Sequence, residues 1–270
     1  MSSSASSALV NVAEDAELRL VRLLADAAES TRPGFIEDCE ACIVHGDAAQ
    51  LMRTILGEQN AISALISLEE EAVSAVSLLA ALLDRVKSTG SSQLVDELAD
   101  SVISSTSIDS AETTKAVALL ATLYNMRSDP EEKVGLLVKM IRLAASRQPS
   151  LLEPNASALG KWMDKTRLSV MLDEWNVQPT VRRELYRAAA QGVTSPSTKQ
   201  QFTLLAVETY TASDLDTQGI ESAQEAAIGA IRDPVSLFVN QRNILSLPAI
   251  QALETNSRKF LITSCSKFCE

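Results

Sequence analysis

Apolar residues recur at helical spacing along nearly the whole chain, and this pattern restricts the possible fold more than any other feature. In the clearest segment, five apolar residues share one helix face: Val134, Leu137, Val138, Ile141 and Ala145. No short segment alternates between apolar and polar residues as a half-buried strand would. Gly and Pro are sparse, at 9 and 8 residues, and aromatic residues make up only 4%. The sequence therefore predicts an all-α fold.

Breaks between the apolar stripes divide the chain into about a dozen short helices. A capping residue followed directly by proline marks three helix starts, Asp129-Pro130, Ser195-Pro196 and Asp233-Pro234. The spacing of Asp109 and Glu112 predicts a capping box. Other predicted helices cover 35–43, 48–56, 61–86, 156–164, 166–175, 180–190, 197–211, 220–231 and 247–254. The predicted stripe within 61–86 consists of Val73, Val76, Leu79, Leu83 and Val86.

A helix with one apolar stripe cannot bury that stripe alone, so the predicted helices must stack on one another. Antiparallel helix pairs in an irregular solenoid, similar to HEAT or TPR repeats, would bury all the stripes. The sequence has no strict period, so we expect degenerate repeats. A compact helical bundle is the competing architecture. The many short helices and their charged outer faces favour the solenoid.

Composition and helix breaks predict three regions. Residues 1–12 are rich in serine and predict a disordered tail. Residues 13–150 predict N-terminal helical repeats, and residues 151–270 predict a second helical region. We expect neither a secretory signal nor a membrane span, which would need roughly 18 consecutive apolar residues. Four poorly placed cysteines argue against a disulfide framework, so we expect a soluble, cytoplasmic protein.

Charge is distributed unevenly along the chain, whose net charge is −11. Residues 1–130 hold 8 Lys and Arg against 20 Asp and Glu, whereas residues 131–270 hold 16 against 15. An acidic first half repels phosphate backbones, so any direct contact with nucleic acid would belong to the second half. Solvated helix faces that keep a leucine-rich protein in solution are the simpler explanation of the acidity.

Histidine and cysteine chemistry has little support in the sequence. A catalytic triad would have to use His45, the only histidine, which lies at a predicted helix end as a C-cap residue would. A zinc site would have to join two cysteine pairs more than 220 residues apart, Cys39 with Cys42 and Cys265 with Cys269. Cysteines three residues apart in a helical pattern are typical of small buried apolar side chains.

The remaining motifs also favour structural roles over catalytic or ligand-binding roles. Neither glycine-rich phosphate-binding motif occurs, and the acidic run Glu69-Glu70-Glu71 indicates a solvated helix start. Arg182, Arg183 and Arg187 cluster on one predicted helix and would suit RNA, an acidic partner or ordinary surface charge. Trp162, Trp175 and Tyr186 are predicted as packing anchors first and partner contacts second. We expect no enzyme, and no catalytic, cofactor-binding or metal-binding residues.

An ordered series of short motifs resembles the subunit m family of the eukaryotic translation initiation factor three complex, whose members are PCI-domain proteins. The early segment 38–56 (DCEACIVHGDAAQLMRTIL) belongs to the series. The later motifs are LLATLYN at 119–125, KVGLLVKMIRLAA at 133–145, KW at 161–162, DEWNV at 173–177, RELYRA at 183–188, ETYT at 208–211, AAIGAIRDP at 226–234 and LSLPAIQALE at 245–254. No single motif is specific, but their order is, and the resemblance covers roughly residues 35–254.

The resemblance implies a non-catalytic scaffold whose helical repeat leads into a PCI domain. It implies a role in assembling the initiation factor complex and in recruiting it to the small ribosomal subunit. The implied partners are other PCI and core subunits and the small ribosomal subunit, without a membrane; direct RNA contact stays open. The resemblance ends near Glu254, so we expect the winged helix of a PCI domain to be absent. The alternative is a PCI subunit of the signalosome or proteasome lid, or one shared between complexes.

Overall fold

A computed structural model of the protein describes residues 4–28, 30–68, 71–86, 90–154, 156–232 and 243–253, with side chains from residue 16 onward. These residues form α-helices, short 3-10 helices and connecting turns, and no strand occurs among them. The all-α prediction is therefore confirmed. The chain divides into two compact units, Met1–Gln148 and Pro149–Glu270. We expected the boundary at residues 150–151.

The first unit contains eight α-helices in its described part. They are α1 (Ser4–Ala27), α2 (Phe35–His45), α3 (Ala48–Gly57), α4 (Gln59–Ser67), α5 (Ala72–Arg85), α6 (Ser91–Ser105), α7 (Ser110–Met126) and α8 (Pro130–Arg147). The helix α1 includes residues 4–12, where we expected a disordered tail.

The helices of the first unit stack in two rows. One row runs through α3, α5 and α7, and the other through α4, α6 and α8, since each helix contacts the one two positions along the chain. Consecutive helices such as α7 and α8 also pack together and join the rows. This arrangement buries each apolar stripe between neighbours, as in a solenoid of helical repeats. The solenoid-like architecture predicted from the stripes is therefore present.

The predicted helical range 61–86 contains two helices, and the second begins directly after the glutamate run that predicts a helix start. The helix α4 ends at Ser67 and α5 begins at Ala72, with Glu71 at the N-cap of α5. Carboxylates are favoured beside a helix N-terminus, where the helix dipole is positive, so Glu71 suits the start of α5. The predicted apolar stripe of this range is wrong at Val73, which is 50% exposed. Its members Val76, Leu79 and Leu83 are buried as expected.

Side-chain caps confirm two predicted helix starts, whereas a third start lacks the predicted capping bonds. The Asp129 carboxylate accepts from the Glu131 N–H at 2.8 Å, and the Ser195 hydroxyl accepts from the Thr198 N–H at 3.4 Å. The predicted start at Asp233-Pro234 lies outside the described residues. The predicted capping box is wrong, because the Asp109 side chain makes no capping bond.

The side chain of Ser107 takes one of the two bonds expected of the capping box at the start of α7. Its hydroxyl accepts from the Asp109 N–H at 3.2 Å, which is the N–H that Glu112 would bond in a capping box. The Glu112 carboxylate instead accepts from the Ser107 N–H at 2.9 Å, and its pKa is lowered by a side-chain hydrogen bond with Ser107, followed by this backbone bond. Ser107 and Glu112 thus satisfy backbone donors just before the helix.

Arginine side chains link the helix ends of the first unit. Arg147 donates to the carbonyl oxygens of Thr106 at 2.6 Å and Ser107 at 3.0 Å, which follow the end of α6. The buried Arg127 pairs with Asp84 of α5 at 2.7 Å and with Glu132 of α8 at 2.8 Å. Each guanidinium thus holds together segments that are distant in sequence.

The second unit contains α9 (Lys165–Glu174), α10 (Pro179–Gly192), α11 (Pro196–Glu208) and α12 (Thr217–Arg232) in its described part. The helix α11 packs against both α10 and α12. The helical residues 248–253 add Ala249 and Ile250 to a core with Val207 and Tyr210. Residues 254–270, where the winged-helix expectation falls, lie outside the described residues.

The predicted α-helix over 156–164 is wrong, because this range forms turns and a 3-10 helix, Gly160–Met163. A Cβ on Gly160 would lie 1.9 Å from the carbonyl oxygen of Glu153, so two backbone segments meet here at a distance that only glycine permits. The close approach stops a regular α-helix from extending through this position. In the described part of the chain, no helix is long and apolar enough to cross a membrane.

Candidate partner-binding surface

Arg182, the first arginine of the predicted cluster, closes the C-terminal end of α9. Its Nε donates to the carbonyl oxygen of Val177 at 2.8 Å, and its Nη2 donates to that of Leu172, also at 2.8 Å. Its Nη1 pairs with the carboxylate of Asp173. Cations are stabilising beside the last carbonyls of a helix, so this guanidinium acts as a cap inside the fold.

Arg183 is buried, with 6% of the residue exposed. It donates to the Thr209 hydroxyl at 3.0 Å, to the Thr209 carbonyl at 3.2 Å and to the Asp214 carboxylate at 2.5 Å. Its guanidinium carbon lies 3.5 Å from the centre of the Tyr210 ring, which is a cation–π contact. Arg183 therefore ties α10 to the segment that follows α11.

Arg187 contacts the same aromatic ring from the next turn of α10. Its Nη1 donates to the Gln218 side chain at 2.7 Å, and its Nη2 donates to the Tyr210 hydroxyl. The Tyr210 hydroxyl in turn donates to Asp216 at 3.2 Å. Burial raises the pKa of Tyr210, so the ring keeps its proton and its donor role at neutral pH.

The two carboxylates beside these arginines are held in their charged form. The hydrogen bond from Arg183 lowers the pKa of Asp214 to about 2, and bonds from Thr211 add to the effect. The Gly219 N–H donates to Asp216 at 2.6 Å and lowers the pKa of that carboxyl. Charged hydrogen-bond networks of this kind fix the loop between α11 and α12.

The arginine cluster is thus used within its own unit. The sequence leaves open whether these arginines contact RNA or an acidic partner. Neither hypothesis has direct support, because the guanidinium donors described above bond to atoms of the protein itself. The sequence around the cluster lacks an aromatic platform, yet Tyr210 supplies one from at least 23 residues away. Only the fold brings that ring to the arginines, so local sequence reasoning missed it.

A second surface feature is a groove of about 1070 Å³ between the 3-10 helix Gly160–Met163, α9 and α11. Trp162 and Trp175 line the groove and are partly exposed. Tyr186 is buried instead, and its hydroxyl lies 3.2 Å from the Ser169 hydroxyl. The predicted packing role therefore fits Tyr186, while the tryptophans present part of their rings to solvent.

One face of α9 forms a wall of this groove. Arg167, Val170, Met171 and Glu174 line it at the three- and four-residue spacing of a single helix face. Val170 is 50% exposed, and the Arg167 guanidinium lies 4.6 Å from the centre of the Trp162 ring. The wall thus combines exposed apolar surface with a cation held over an indole.

The charged residues along the groove are mostly basic. Lys161, Lys165 and Arg167 line it, together with Glu174 and Asp164. The Asp164 carboxylate caps α9 by accepting from the Thr166 and Arg167 N–H groups at 2.8 and 3.0 Å. In the described part of the protein, no ion pair joins Lys161, Lys165 or Arg167 to an acidic side chain. Lys161 and Lys165 thus carry positive charge beside the groove, while the Arg167 guanidinium lies over the Trp162 ring.

The cysteine and histidine candidates do not come together as a site in the described residues. Cys39 and Cys42 are free thiols, and burial, followed by the nearby Cys42, raises the pKa of Cys39 to about 12. Cys265 and Cys269 lie outside the described range. Within that range, no cluster of three or more His, Cys, Asp or Glu residues is arranged to hold a metal ion.

His45 is exposed as the last residue of α2, and the C-cap position that we expected it to fill belongs to Gly46. Gly46 has φ 68°, in the left-handed region. A residue without Cβ adopts this conformation at little cost, so glycine ends the helix in place of histidine.

Comparison with known proteins adds no relative to this description. No protein-family model matches the sequence, and a search of curated proteins gives no match.

Proposed function

We propose that this chain is a non-catalytic scaffold subunit of the eukaryotic translation initiation factor three complex. In this role it works in the cytoplasm, supports assembly of the complex and helps recruit it to the small ribosomal subunit. The observation that carries the proposal is the ordered series of motifs over residues 38–254, which resembles the subunit m family. Its partners are the other PCI and core subunits.

The architecture is suited to such a role. Stacked helices in two rows leave their outer faces available along the length of the first unit, and extended surfaces of this kind bind other proteins. In the second unit, Arg183 contacts Tyr210 and Asp214 and so ties α10 to the segment that follows α11. A rigid helical surface loses little conformational freedom when a partner docks on it.

Co-purification tests this proposal. The full-length protein, tagged at one end and expressed at its natural level, is isolated from cells, and its partners are identified by mass spectrometry. We expect initiation factor subunits and co-sedimentation with small ribosomal subunits on a density gradient. A partner set made of signalosome or proteasome-lid subunits would replace the proposal with the alternative, and a preparation without any of these complexes would refute both.

A further inference from the structure

We propose that the groove formed by Trp162 and Trp175 binds an acidic amphipathic helix of a partner protein. The inference rests on the scaffold role proposed above, although it does not depend on which complex the chain joins. Three observations support it: the placement of the tryptophans, the exposed apolar face of α9, and the sign of the charge around the groove.

The tryptophans mark this groove as unusual within the chain. Both tryptophans of the protein line it, in a sequence with only 4% aromatic residues. Tryptophan is enriched among the few residues that dominate binding energy at protein interfaces. Partly exposed indoles beside a concave surface therefore provide anchors for apolar side chains of a partner.

The shape of the groove suits a helical occupant. Val170, which is 50% exposed, presents apolar surface on α9 beside the buried Met171, and Thr198 and Gln201 of α11 also line the groove. A groove between helices accepts an amphipathic helix whose apolar residues recur every three or four positions. The volume of about 1070 Å³ accommodates several apolar side chains.

The charge around the groove determines the chemistry of the partner. Lys161, Lys165 and Arg167 stand on a chain whose overall charge is −11, so this is a locally basic patch on an acidic protein. The Asp164 carboxylate is already engaged by two backbone N–H groups. Carboxylates on the polar face of a partner helix would complement these cations and set its orientation.

Single-stranded RNA is the less suitable occupant for this groove. RNA-binding channels place many cations along the phosphate backbone, and binding then falls steeply with salt. Here Glu174 stands among only three cations, which are too few to follow a phosphate backbone. The apolar wall at Val170 and Met171 also favours aliphatic side chains over ribose and phosphate.

The test uses the purified full-length chain and two peptide pools of about 15 residues, the length of a short amphipathic helix. Both pools carry Leu and Phe at helical spacing. One pool has Asp and Glu at the remaining positions, and the other has Lys. An oligouridine serves as the RNA probe. Binding is followed by the emission of the two tryptophans, which report on the groove directly because the chain has no others.

We expect the acidic pool to shift the tryptophan emission to shorter wavelength and to bind more tightly than the lysine pool and oligouridine. The double variant K161E/K165E should weaken binding of the acidic pool by about tenfold, because two rim cations are reversed. Arg53→Glu, which reverses one cation at an exposed position of α3 outside the groove, should leave the affinity unchanged. Circular dichroism verifies that both variants keep their helix content.

Three results would overturn the proposal: equal binding of the acidic and lysine pools, unchanged affinity in K161E/K165E, or tighter binding of oligouridine. No tryptophan response to either pool would also overturn it. These measurements need only the isolated chain, whereas membership in a complex is tested by co-purification. A failure of one proposal can therefore be told apart from a failure of the other.

Discussion

The guanidinium of Arg183 lies between the Tyr210 ring and the Asp214 carboxylate, and it is the most deeply placed charge described in the second unit. Its neighbours Arg182 and Arg187 have the same side chain yet keep larger exposed fractions. Three arginines that lie close together in the sequence therefore have different environments in the fold. A buried charge is retained in a fold only when its donors are satisfied, as they are here.

Replacing this buried cation should destabilise the protein. Arg183→Met removes the bonds to Thr209 and leaves Asp214 without its arginine partner. We therefore expect a loss of about 2 kcal/mol in the free energy of unfolding. The value is discounted because Asp214 is partly exposed. Urea denaturation followed by circular dichroism measures it. Arg53→Met, at an exposed position, is the control; an equal loss in both variants would contradict the expectation.

The Asp214 carboxylate should make stability depend on acid pH. Its folded-state pKa of about 2 lies below the ordinary value, so its contribution is present above about pH 4 and is lost as pH falls toward 2. We expect Asp214→Asn to be less stable than the parent at neutral pH. The difference in unfolding free energy between the two proteins should shrink over that acid range.

Urea titrations at several pH values measure this difference. Asp173→Asn, which removes an exposed partner of Arg182, serves as the control for loss of a surface ion pair. A difference between parent and Asp214→Asn that stayed constant from neutral pH to pH 2 would show that the Asp214 charge does not stabilise the fold.

Helix starts at Asp129 and Asp109 differ in one respect that can be measured. Both residues occupy an N-cap, but only the Asp129 side chain bonds a backbone N–H. Capping bonds of this kind contribute typically about 1 kcal/mol. We expect Asp129→Ala to lower the free energy of unfolding by about that amount, and Asp109→Ala to lower it clearly less. Thermal and urea unfolding of the two variants decide between them, and equal losses would disprove the capping argument.

Elements with strong local signals were predictable from the sequence, and those set by contacts between distant segments were not. The pair Asp129-Pro130 supplies a capping side chain and a proline in the first turn, so α8 begins as predicted. The 3-10 helix Gly160–Met163 is different, since its geometry follows from the approach of Gly160 to the Glu153 carbonyl. The groove beside it depends on α11 as well, and no local pattern links these segments.

The two units differ in charge, although their helices are alike. Residues 1–148 hold 12 Lys and Arg against 22 Asp and Glu, whereas residues 149–270 hold 12 against 13. Repulsion among like charges opposes the compact state, and salt screens it. The acidic unit therefore carries an electrostatic cost of folding that the other unit does not.

Each unit should fold when expressed alone, because each has its own internal contacts. We expect the fragments 1–148 and 149–270 to show helical circular dichroism and cooperative unfolding. Raising the salt concentration from low to moderate should increase the melting temperature of 1–148 more than that of 149–270. Thermal melts at matched salt concentrations test both points. A fragment without cooperative unfolding, or equal salt responses, would contradict this description.

The shifted pKa values described above have a further consequence for the protein's response to acidity. Burial raises the pKa of Cys39 and of Tyr210, and the bonds to Asp214 lower the pKa of that carboxyl. These three groups therefore keep one charge state across the physiological range. A change in proton concentration within that range would leave Tyr210 its donor hydrogen and Asp214 its charge, so their contacts with Arg183 and Arg187 would persist.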